Sequence, residues 1–189
     1  MVDLDSLNVQ AKRLQLNIPD AKSVLWKGLT HCFGENAVGM PAYAKVAEWM
    51  GDNHGKGLLL MGHSGLGKST IAMQIMPLVI QAFYHLKVKT ISAYDINNDI
   101  DEVKKYKLLV VDDVGVESPY YNFGNRRDAF NEIVDAAEQN GRLLILTTNL
   151  NSEELLNKYG ERTVDRLRGM MHKVVFTGIS LRKQYGTDI

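Results

Sequence analysis

Glycines, a lysine and a serine occur in residues 62–69 at spacings that suit the binding of a phosphate chain. The segment reads Gly-His-Ser-Gly-Leu-Gly-Lys-Ser and matches the pattern G-x-x-x-x-G-K-[ST] without a mismatch. Glycines allow a tight turn that brings backbone N–H groups against phosphate oxygens. Lys68 adds a positive charge beside the terminal phosphates, and the hydroxyl of Ser69 is a ligand for Mg²⁺. We therefore predict a binding site for ATP and its magnesium ion.

The surroundings of this loop decide between a phosphate site and a chance glycine-rich turn. Residues 58–61 have the pattern of a buried strand just before the loop, and residues 71–83 that of a helix just after it. A helix that starts at the loop directs the positive end of its dipole at the same anion. This setting favours the phosphate site. The predicted ATP-binding residues are Gly62, His63, Ser64, Gly65, Leu66, Gly67, Lys68, Ser69 and Thr70, of which His63 and Ser64 need no individual role.

Two adjacent carboxylates, Asp112 and Asp113, follow the apolar run 108–111. A buried strand that ends in neighbouring acids suits a position beside a cation. Asp112 can hold Mg²⁺, commonly through a bound water, and Asp113 can orient and deprotonate an attacking water. The alternative is that the two acids only mark the point where the strand ends and a loop begins. Because the acids follow the phosphate loop at a suitable distance, nucleotide hydrolysis is the favoured interpretation.

A further strand pattern, residues 143–147, runs into Thr148 and Asn149. Taken alone, a T-T-N sequence after a strand is more often a turn signal. In P-loop ATPases with an extra strand between those of the other two motifs, this strand end lies between the γ-phosphate and the acidic pair. Because Asn149 is the third polar strand end in that order, we predict that its amide contacts the γ-phosphate or the attacking water.

The elements that must position these residues alternate between strands and helices. Five short and nearly continuously apolar segments predict strands that are buried on both faces of a parallel sheet. They are residues 58–61, 88–93, 108–111, 143–147 and 174–176. Helical patterns cover residues 19–33, 41–51, 67–84, 125–140 and 151–170, with Asn125 expected to cap the fourth helix. The alternation predicts a three-layer α/β fold.

The composition excludes several other classes of protein. Apolar residues make up 45% and charged residues 23% of the 189 residues, as in an ordinary globular domain. The formal net charge is zero, so bulk electrostatics does not imply binding to nucleic acid. Cys32 is the only cysteine, which excludes an internal disulfide. Since no signal-peptide pattern or membrane-length apolar run is present, we expect a cytoplasmic protein without membrane contact.

Five segments carry a distinctive combination of motifs: G-H-S-G-L-G-K-S-T, L-L-V-V-D-D-V-G, L-L-I-L-T-T-N-L, Y-G-E-R-T-V-D-R-L-R and G-I-S-L-R. Together they resemble the AAA+ core of the helicase-loader group, which includes the DnaC and DnaI loaders and the IstB transposition ATPases. The resemblance covers residues 55–185. It implies a P-loop NTPase fold with a five-stranded parallel sheet. A short helical extension over residues 1–54 would pack on an ATPase core of residues 55–189, with a minimal or absent lid subdomain.

The resemblance also implies roles for three polar side chains. Asn149 is the sensor-one residue, Arg166 in D-R-L is the arginine finger, and Arg182 in S-L-R is the sensor-two arginine. An arginine supplied by a neighbouring subunit neutralises charge on the transferred phosphoryl group and makes hydrolysis depend on assembly. The alternative for Arg162, Arg166 and Arg168 is a solvated basic helix face. The motif favours the finger for Arg166 only.

The function that this resemblance implies is that of an ATP-dependent homo-oligomer acting on a replicative helicase. The connection over residues 92–107 is short compared with that of the loaders, so we expect only weak DNA contact by the monomer. Asp113 replaces the longer glutamate of many AAA+ proteins, which predicts slow hydrolysis. Two alternatives are an IstB-like helper with a transposase partner and a nucleotide-gated adaptor that barely hydrolyses ATP. A small-molecule kinase is disfavoured because no acceptor site is recognisable.

Overall fold

The computed structural model describes residues 13–118, 120–122, 125–178 and 180, and a five-stranded sheet lies at its centre. The strands are β1 (Gly57–Met61), β2 (Lys89–Ser92), β3 (Leu108–Val114), β4 (Tyr120–Asn122), β5 (Asn125–Arg127), β6 (Leu143–Thr148) and β7 (Met171–Val175). Five of them form a parallel sheet in the order β2-β3-β6-β1-β7. Strands β4 and β5 form a separate antiparallel pair. The predicted five-stranded parallel sheet is confirmed.

The helices of the described residues cover both faces of this sheet. They are α1 (Ala21–Phe33), α2 (Pro41–Gly51), α3 (Lys68–Thr70), α4 (Met76–Tyr84), α5 (Ile100–Val103), α6 (Ala129–Gln139) and α7 (Ser152–Met170). A π-helical turn, Ile71–Ile75, joins α3 to α4. Pro77 has no N–H to donate to the carbonyl of Met73, which accounts for the widened turn. Among the described residues, no helix is both long enough and apolar enough to cross a membrane.

Side chains of the central strands point alternately to the two faces of the sheet. In β1, Leu58 and Leu60 lie in a core shared with α1, α2 and residues 71–80. Leu59 and Met61 lie in a second core, shared with α6 and α7. Burial on both faces explains why the strand sequences are continuously apolar, and the three-layer arrangement is confirmed.

The segment that leads into α1 is tied to the loop before β1 by one buried amide. The side chain of Asn53 accepts a hydrogen bond from Leu16 N (2.8 Å). Its Nδ2 donates to the carbonyl oxygens of Leu14 (3.1 Å) and Lys56 (3.0 Å). Asn53 is 2% exposed, so breaking these bonds would leave buried polar groups unpaired. The contact fixes the two N-terminal helices relative to the strand that carries the glycine-rich loop.

The helix predicted over residues 125–140 begins later than expected. Residues Asn125–Arg127 pair with β4, and the helix starts at Ala129. Asp128 therefore occupies the N-cap position, and the prediction that Asn125 caps this helix is wrong. The apolar stripe itself begins at Ala129, so strand pairing decides the conformation of the polar residues before it.

The last strand was also misplaced by the sequence pattern. It runs from Met171 to Val175 and not over residues 174–176. Within the described sheet it is an edge strand paired with β1, and it includes the half-buried His172 and the exposed Lys173. A polar pair within a strand breaks the continuous apolar pattern, so only its last residues were recognisable.

Gly57, the first residue of β1, allows close approach between neighbouring strands. A Cβ atom there would lie 2.4 Å from the carbonyl oxygen of Leu144 and 2.7 Å from Sδ of Met171. We expect Gly57→Ala to lower the free energy of unfolding by about 1–3 kcal/mol, because the strands must separate to admit the methyl group. Urea denaturation measures this change.

Gly169 in α7 offers a matched control, because a Cβ atom there would meet no atom within 4 Å. Gly169→Ala should raise the free energy of unfolding by roughly 0.5 kcal/mol, since alanine restricts the unfolded chain. Equal effects of the two substitutions would contradict the steric explanation for Gly57.

Candidate functional site

The glycine-rich loop lies between the end of β1 and the start of α3, as its spacing predicts. Gly62, Gly65 and Gly67 have φ angles of 139°, 83° and 81°, a region that residues with a Cβ atom rarely adopt. Gly62 is further constrained, since a Cβ atom would lie 2.3 Å from the carbonyl oxygen of Phe176. The loop therefore needs glycine at these positions, and its backbone can curve around an anion.

The ammonium group of Lys68 lies inside this loop. Its Nζ donates to the carbonyl oxygens of Gly62 (2.7 Å) and His63 (2.8 Å), and to Oδ1 of Asn149 (3.0 Å). Lys68 is only 4% exposed. A buried cation needs such partners, because its transfer out of water is costly. The positive charge is therefore fixed at the junction of the loop and the end of β6.

The backbone positions of the two aspartates depend on an irregularity in β3. Val111 pairs with Leu146 and Val114 pairs with Thr148, so β3 has one residue more than β6 in this interval. This is a β-bulge, and Asp113 within it has a φ angle of 56°. Aspartate tolerates the left-handed region better than most residues. The bulge turns the Asp113 side chain out of the alternating strand pattern.

A fully buried hydroxyl on β6 connects the two aspartates. Oγ1 of Thr147 donates to Oδ1 of Asp112 (2.6 Å) and accepts from the backbone N–H of Asp113 (2.8 Å). Thr147 is 0% exposed. The hydroxyl thus fixes one carboxylate oxygen of Asp112 and the backbone of Asp113 at the same time. Its neighbour Thr148 donates to the carbonyl oxygen of Val114 (2.5 Å), which holds the other side of the bulge.

Asn149 joins the phosphate loop to the acidic pair. Its Oδ1 accepts from Lys68, and its Nδ2 donates to Oδ1 of Asp113 (3.2 Å). Three residues from three separate motifs therefore form one hydrogen-bonded chain. The order of the sheet makes this possible, since β6 lies between β1 and β3 and all three strands end at the same edge.

The remaining loop residues differ in exposure. His63 and Ser64 are exposed, whereas Leu66 is 1% exposed and packs in the core beneath the loop. Ser69 and Thr70 are half-buried in α3. Hydroxyl and carboxylate oxygens are the donors that Mg²⁺ prefers, so Ser69 and Asp112 fit the predicted metal site. The glycine-lined turn and the buried Lys68 fit a phosphate chain.

Among the described arginines of the predicted set, Arg162 and Arg166 do not join this cluster. The guanidinium of Arg166 contacts the carboxylate of Asp135, and its Nε lies 2.6 Å from Oε2 of Glu138 on α6. Arg162 is 75% exposed and lies 3.4 Å from Asp135, as on a solvated helix face. Arg182 lies outside the described residues. The finger role of Arg166 and the sensor role of Arg182 stay predictions.

Thr147 was not predicted as a site residue. Residues 143–147 were predicted only as a strand, although Thr147 and Thr148 are the polar residues at the end of an otherwise apolar strand. A hydroxyl on a buried strand needs a hydrogen-bond partner, and that requirement was the available signal. The partner itself depends on the register between β3 and β6, which the sequence does not reveal.

The family model described as Novel STAND NTPase 3 matches residues 38–181 of this chain. The chain belongs to this family. The matched range includes the glycine-rich loop, both aspartates, Asn149 and Arg166. Family membership establishes an NTPase. No curated protein sequence is significantly similar to the chain.

Solved structures show where the fold of this NTPase occurs elsewhere. The DnaC helicase loader is 19% identical, with a TM-score of 0.61 over 81% of this chain and 98% of that one. DnaI is 21% identical, with a TM-score of 0.55 over 67% of this chain and 73% of that one. AMPPCP-bound DnaA from Aquifex aeolicus is 21% identical, with a TM-score of 0.52 over 72% of this chain and 47% of that one. The predicted AAA+ fold of the DnaC and DnaI group is confirmed.

The Thr147 hydroxyl gives a specific test of the acidic pair. Thr147→Val keeps the shape of the side chain but releases Asp112 and leaves the N–H of Asp113 unpaired. We expect the Mg²⁺ concentration needed for half-maximal nucleotide binding to rise about 10- to 100-fold, the range for groups that orient metal ligands. Titration of a fluorescent ATP analogue against Mg²⁺ measures this shift.

Thr147→Ser is the matched control, because it keeps the hydroxyl and loses only a methyl group. Its Mg²⁺ requirement should stay close to that of the unsubstituted protein. If valine and serine at this position behave alike, the hydroxyl does not orient Asp112.

Proposed function

We propose that this NTPase is a Mg²⁺-dependent ATPase whose activity depends on assembly into a homo-oligomer. The observation that carries the proposal is the hydrogen-bonded chain from Lys68 through Asn149 to Asp113. It joins a phosphate-binding loop to a carboxylate that can act as a base. A glycine-rich loop with only a structural role would not require that the Asn149 amide bond both to its lysine and to the acidic end of a strand.

The side chains of the candidate site have separate roles in the proposed reaction. Lys68 attracts the terminal phosphate oxygens, and Ser69 and Asp112 hold Mg²⁺, which neutralises phosphate charge when it is bound. Asn149 orients the γ-phosphate or the attacking water. The oxygen of that water bonds to the γ-phosphorus while Asp113 accepts the proton of the water. The bond between the γ-phosphorus and the β–γ bridging oxygen breaks, which gives ADP and phosphate.

Dependence on assembly is proposed from the D-R-L motif that contains Arg166. The side chain of Arg166 is 18% exposed and contacts two acids of α6, away from the cluster around Lys68. A phosphate held by a neighbouring subunit would have to compete with Asp135 and Glu138 for the guanidinium. Arg166 would then complete the active site of that neighbour, so an isolated chain would hydrolyse ATP slowly.

The partner is proposed from the likeness of the fold to the DnaC helicase loader and to DnaI. We propose a replicative helicase or another protein–DNA complex, with a transposase as the alternative if the chain acts like IstB. A nucleotide-gated adaptor with little hydrolysis is favoured by two observations. Arg166 is already paired within its own chain, and Asp113 has a short side chain. ATP turnover that rises with protein concentration supports the ATPase over the adaptor.

Loss of the Lys68 ammonium group should abolish most of the nucleotide affinity. We expect Lys68→Ala to weaken binding of an ATP analogue roughly 10- to 100-fold, the value of one or two charge-assisted hydrogen bonds. Isothermal titration calorimetry measures the Kd. Lys45→Ala on the exposed face of α2 removes a lysine elsewhere and should leave the Kd unchanged. Equal affinities for both variants would contradict the assignment of this loop.

Loss of the Arg166 guanidinium should separate binding from hydrolysis. We expect Arg166→Ala to bind nucleotide normally but to hydrolyse it ~10³–10⁵-fold more slowly, as for arginine fingers elsewhere. Mixing it with Lys68→Ala should restore part of the activity, because some sites then combine an intact loop with an intact arginine. A steady-state ATPase assay of the mixture, at increasing protein concentration, measures this recovery.

Arg162→Ala is the control on the same helix, since Arg162 is exposed and only loosely paired. It should keep the ATPase rate of the unsubstituted protein. If the two inactive variants assemble with each other and still show no recovery, Arg166 acts within its own chain and the shared-site mechanism is wrong.

A further inference from the structure

The backbone turn that follows Asp113 is held by a buried carboxylate. Glu117 is 8% exposed, and its Oε2 accepts a hydrogen bond from the N–H of Gly115 (2.9 Å). The N–H of Val116 donates to the carbonyl oxygen of Asp113 (3.2 Å) and closes the turn. Residues 113–117 therefore form a compact loop, in which the Glu117 side chain bonds to the backbone two residues after the predicted catalytic base, Asp113.

Two side chains of helix α7 form hydrogen bonds to the same turn. The hydroxyl of Tyr159 donates to Oε1 of Glu117. Nζ of Lys158 donates to the carbonyl oxygens of Gly115 (2.7 Å) and Glu117 (3.2 Å), and lies 3.8 Å from Oε1. Two adjacent residues of α7 thus satisfy both backbone and side-chain oxygens of the turn. We call Glu117, Lys158 and Tyr159 the clamp.

The environment of Tyr159 keeps its hydroxyl a hydrogen-bond donor. Burial raises the pKa of Tyr159, and its bond to the Glu117 carboxylate raises it further. The ring is fixed by Phe130, whose centroid lies 4.5 Å away. Since the phenol stays protonated at any working pH, the bond to Glu117 persists. Releasing it would leave a buried carboxylate short of a donor, which is costly.

The clamp adjoins the most unusual backbone position of the site. Asp113 has a left-handed φ of 56°, and Gly115 has a φ of 117°. Such conformations persist only where the surrounding contacts hold them. On one side Thr147 holds the backbone of Asp113 (2.8 Å), and on the other side the clamp holds the turn that leaves it. Without the clamp, the turn could relax and carry the Asp113 carboxylate with it.

We propose that Glu117 and Tyr159 are positioning residues for the ATPase reaction, acting through the 113–117 turn to keep Asp113 aimed at the attacking water. This inference rests on the proposed ATPase function. It also connects α7, the helix that carries Arg166, through this turn to the proposed catalytic base of its own chain. Gly160 breaks the helical conformation just after Tyr159, with φ 78° and ψ 165°, so residues 152–159 can stay fixed to the turn.

Tyr159→Phe tests the clamp by removing only the hydroxyl. We expect kcat to fall about tenfold, a fraction of the ~10²–10⁴ that a positioned general base contributes. The Kd for an ATP analogue should stay within about twofold, because the phosphate loop is untouched. Glu117→Gln should keep most of the activity, since the amide oxygen still accepts from Gly115 and the NH₂ group can donate to the Tyr159 oxygen.

Tyr84→Phe is the matched control. The Tyr84 hydroxyl likewise forms a hydrogen bond, in which it accepts the N–H of Asn17 (2.5 Å), but it lies at the end of α4. It should lower the melting temperature to a similar extent as Tyr159→Phe without lowering kcat. If Tyr159→Phe has the kcat of the unsubstituted protein, or if both tyrosine variants lose kcat in proportion to their melting temperatures, the positioning role is wrong.

A second measurement tests whether the clamp acts through Asp113. In an Asp113→Asn background, adding Tyr159→Phe should cause no further loss of rate, because the base it positions is already gone. A full additional tenfold loss in that background would overturn the proposal. A lack of ATPase activity in the unsubstituted protein would instead overturn the proposed function, and with it any role in positioning. An unchanged kcat in Tyr159→Phe, with ATPase activity present in the unsubstituted protein, overturns the clamp alone.

Discussion

A lysine ammonium group buried between the ends of two neighbouring strands sets the arrangement of the whole site. Lys68 finds three oxygen acceptors there, two from the loop that carries it and one from Asn149 on the adjacent strand. A buried cation is stable only when such acceptors are held in place, so the end of β6 must stay beside the end of β1. The sheet order supplies this adjacency, and it also places β3 and its two acids on the far side of β6. An incoming phosphate would therefore replace acceptors that the protein already provides, in a site that is organised beforehand.

Carboxylate side chains have a structural role in one part of the molecule and a proposed catalytic role in another. Asp112 and Asp113 are held half-buried by a threonine hydroxyl and an asparagine amide, which leaves carboxylate oxygens available for other partners. Asp135 and Glu138, in contrast, are paired with Arg166 and stabilise the packing of α6 against α7. An arginine that reaches a neighbouring subunit must give up these contacts, so assembly is favourable only if the new contacts are stronger. Competition of this kind would make the proposed hydrolysis sensitive to the neighbour and to ionic strength.

Features that depend on local spacing could be predicted from the sequence, and features that depend on distant contacts could not. The glycine loop was recognisable because its function fixes four positions within eight consecutive residues. The central strands were recognisable because burial on both faces requires continuous apolar residues. The start of α6 was misplaced because pairing between β4 and β5 decides the conformation of Asn125. Thr147 and the Glu117–Tyr159 contact were missed since each joins residues that are far apart in the chain. The contacts of Arg166 with α6 likewise had no local signal.

The position of β1 has a consequence for how the protein folds. This strand is made early in the chain, yet Leu58 pairs with Ile145 on one side and with His172 on the other. Its hydrogen-bonding groups therefore stay unpaired until nearly all of the described chain has been synthesised. Contacts of such high sequence separation slow folding, and an apolar strand with two open edges is prone to pair with other chains while it waits. The strand that carries the glycine-rich loop is thus open to aggregation during synthesis, and both of its edges are paired once β7 is in place.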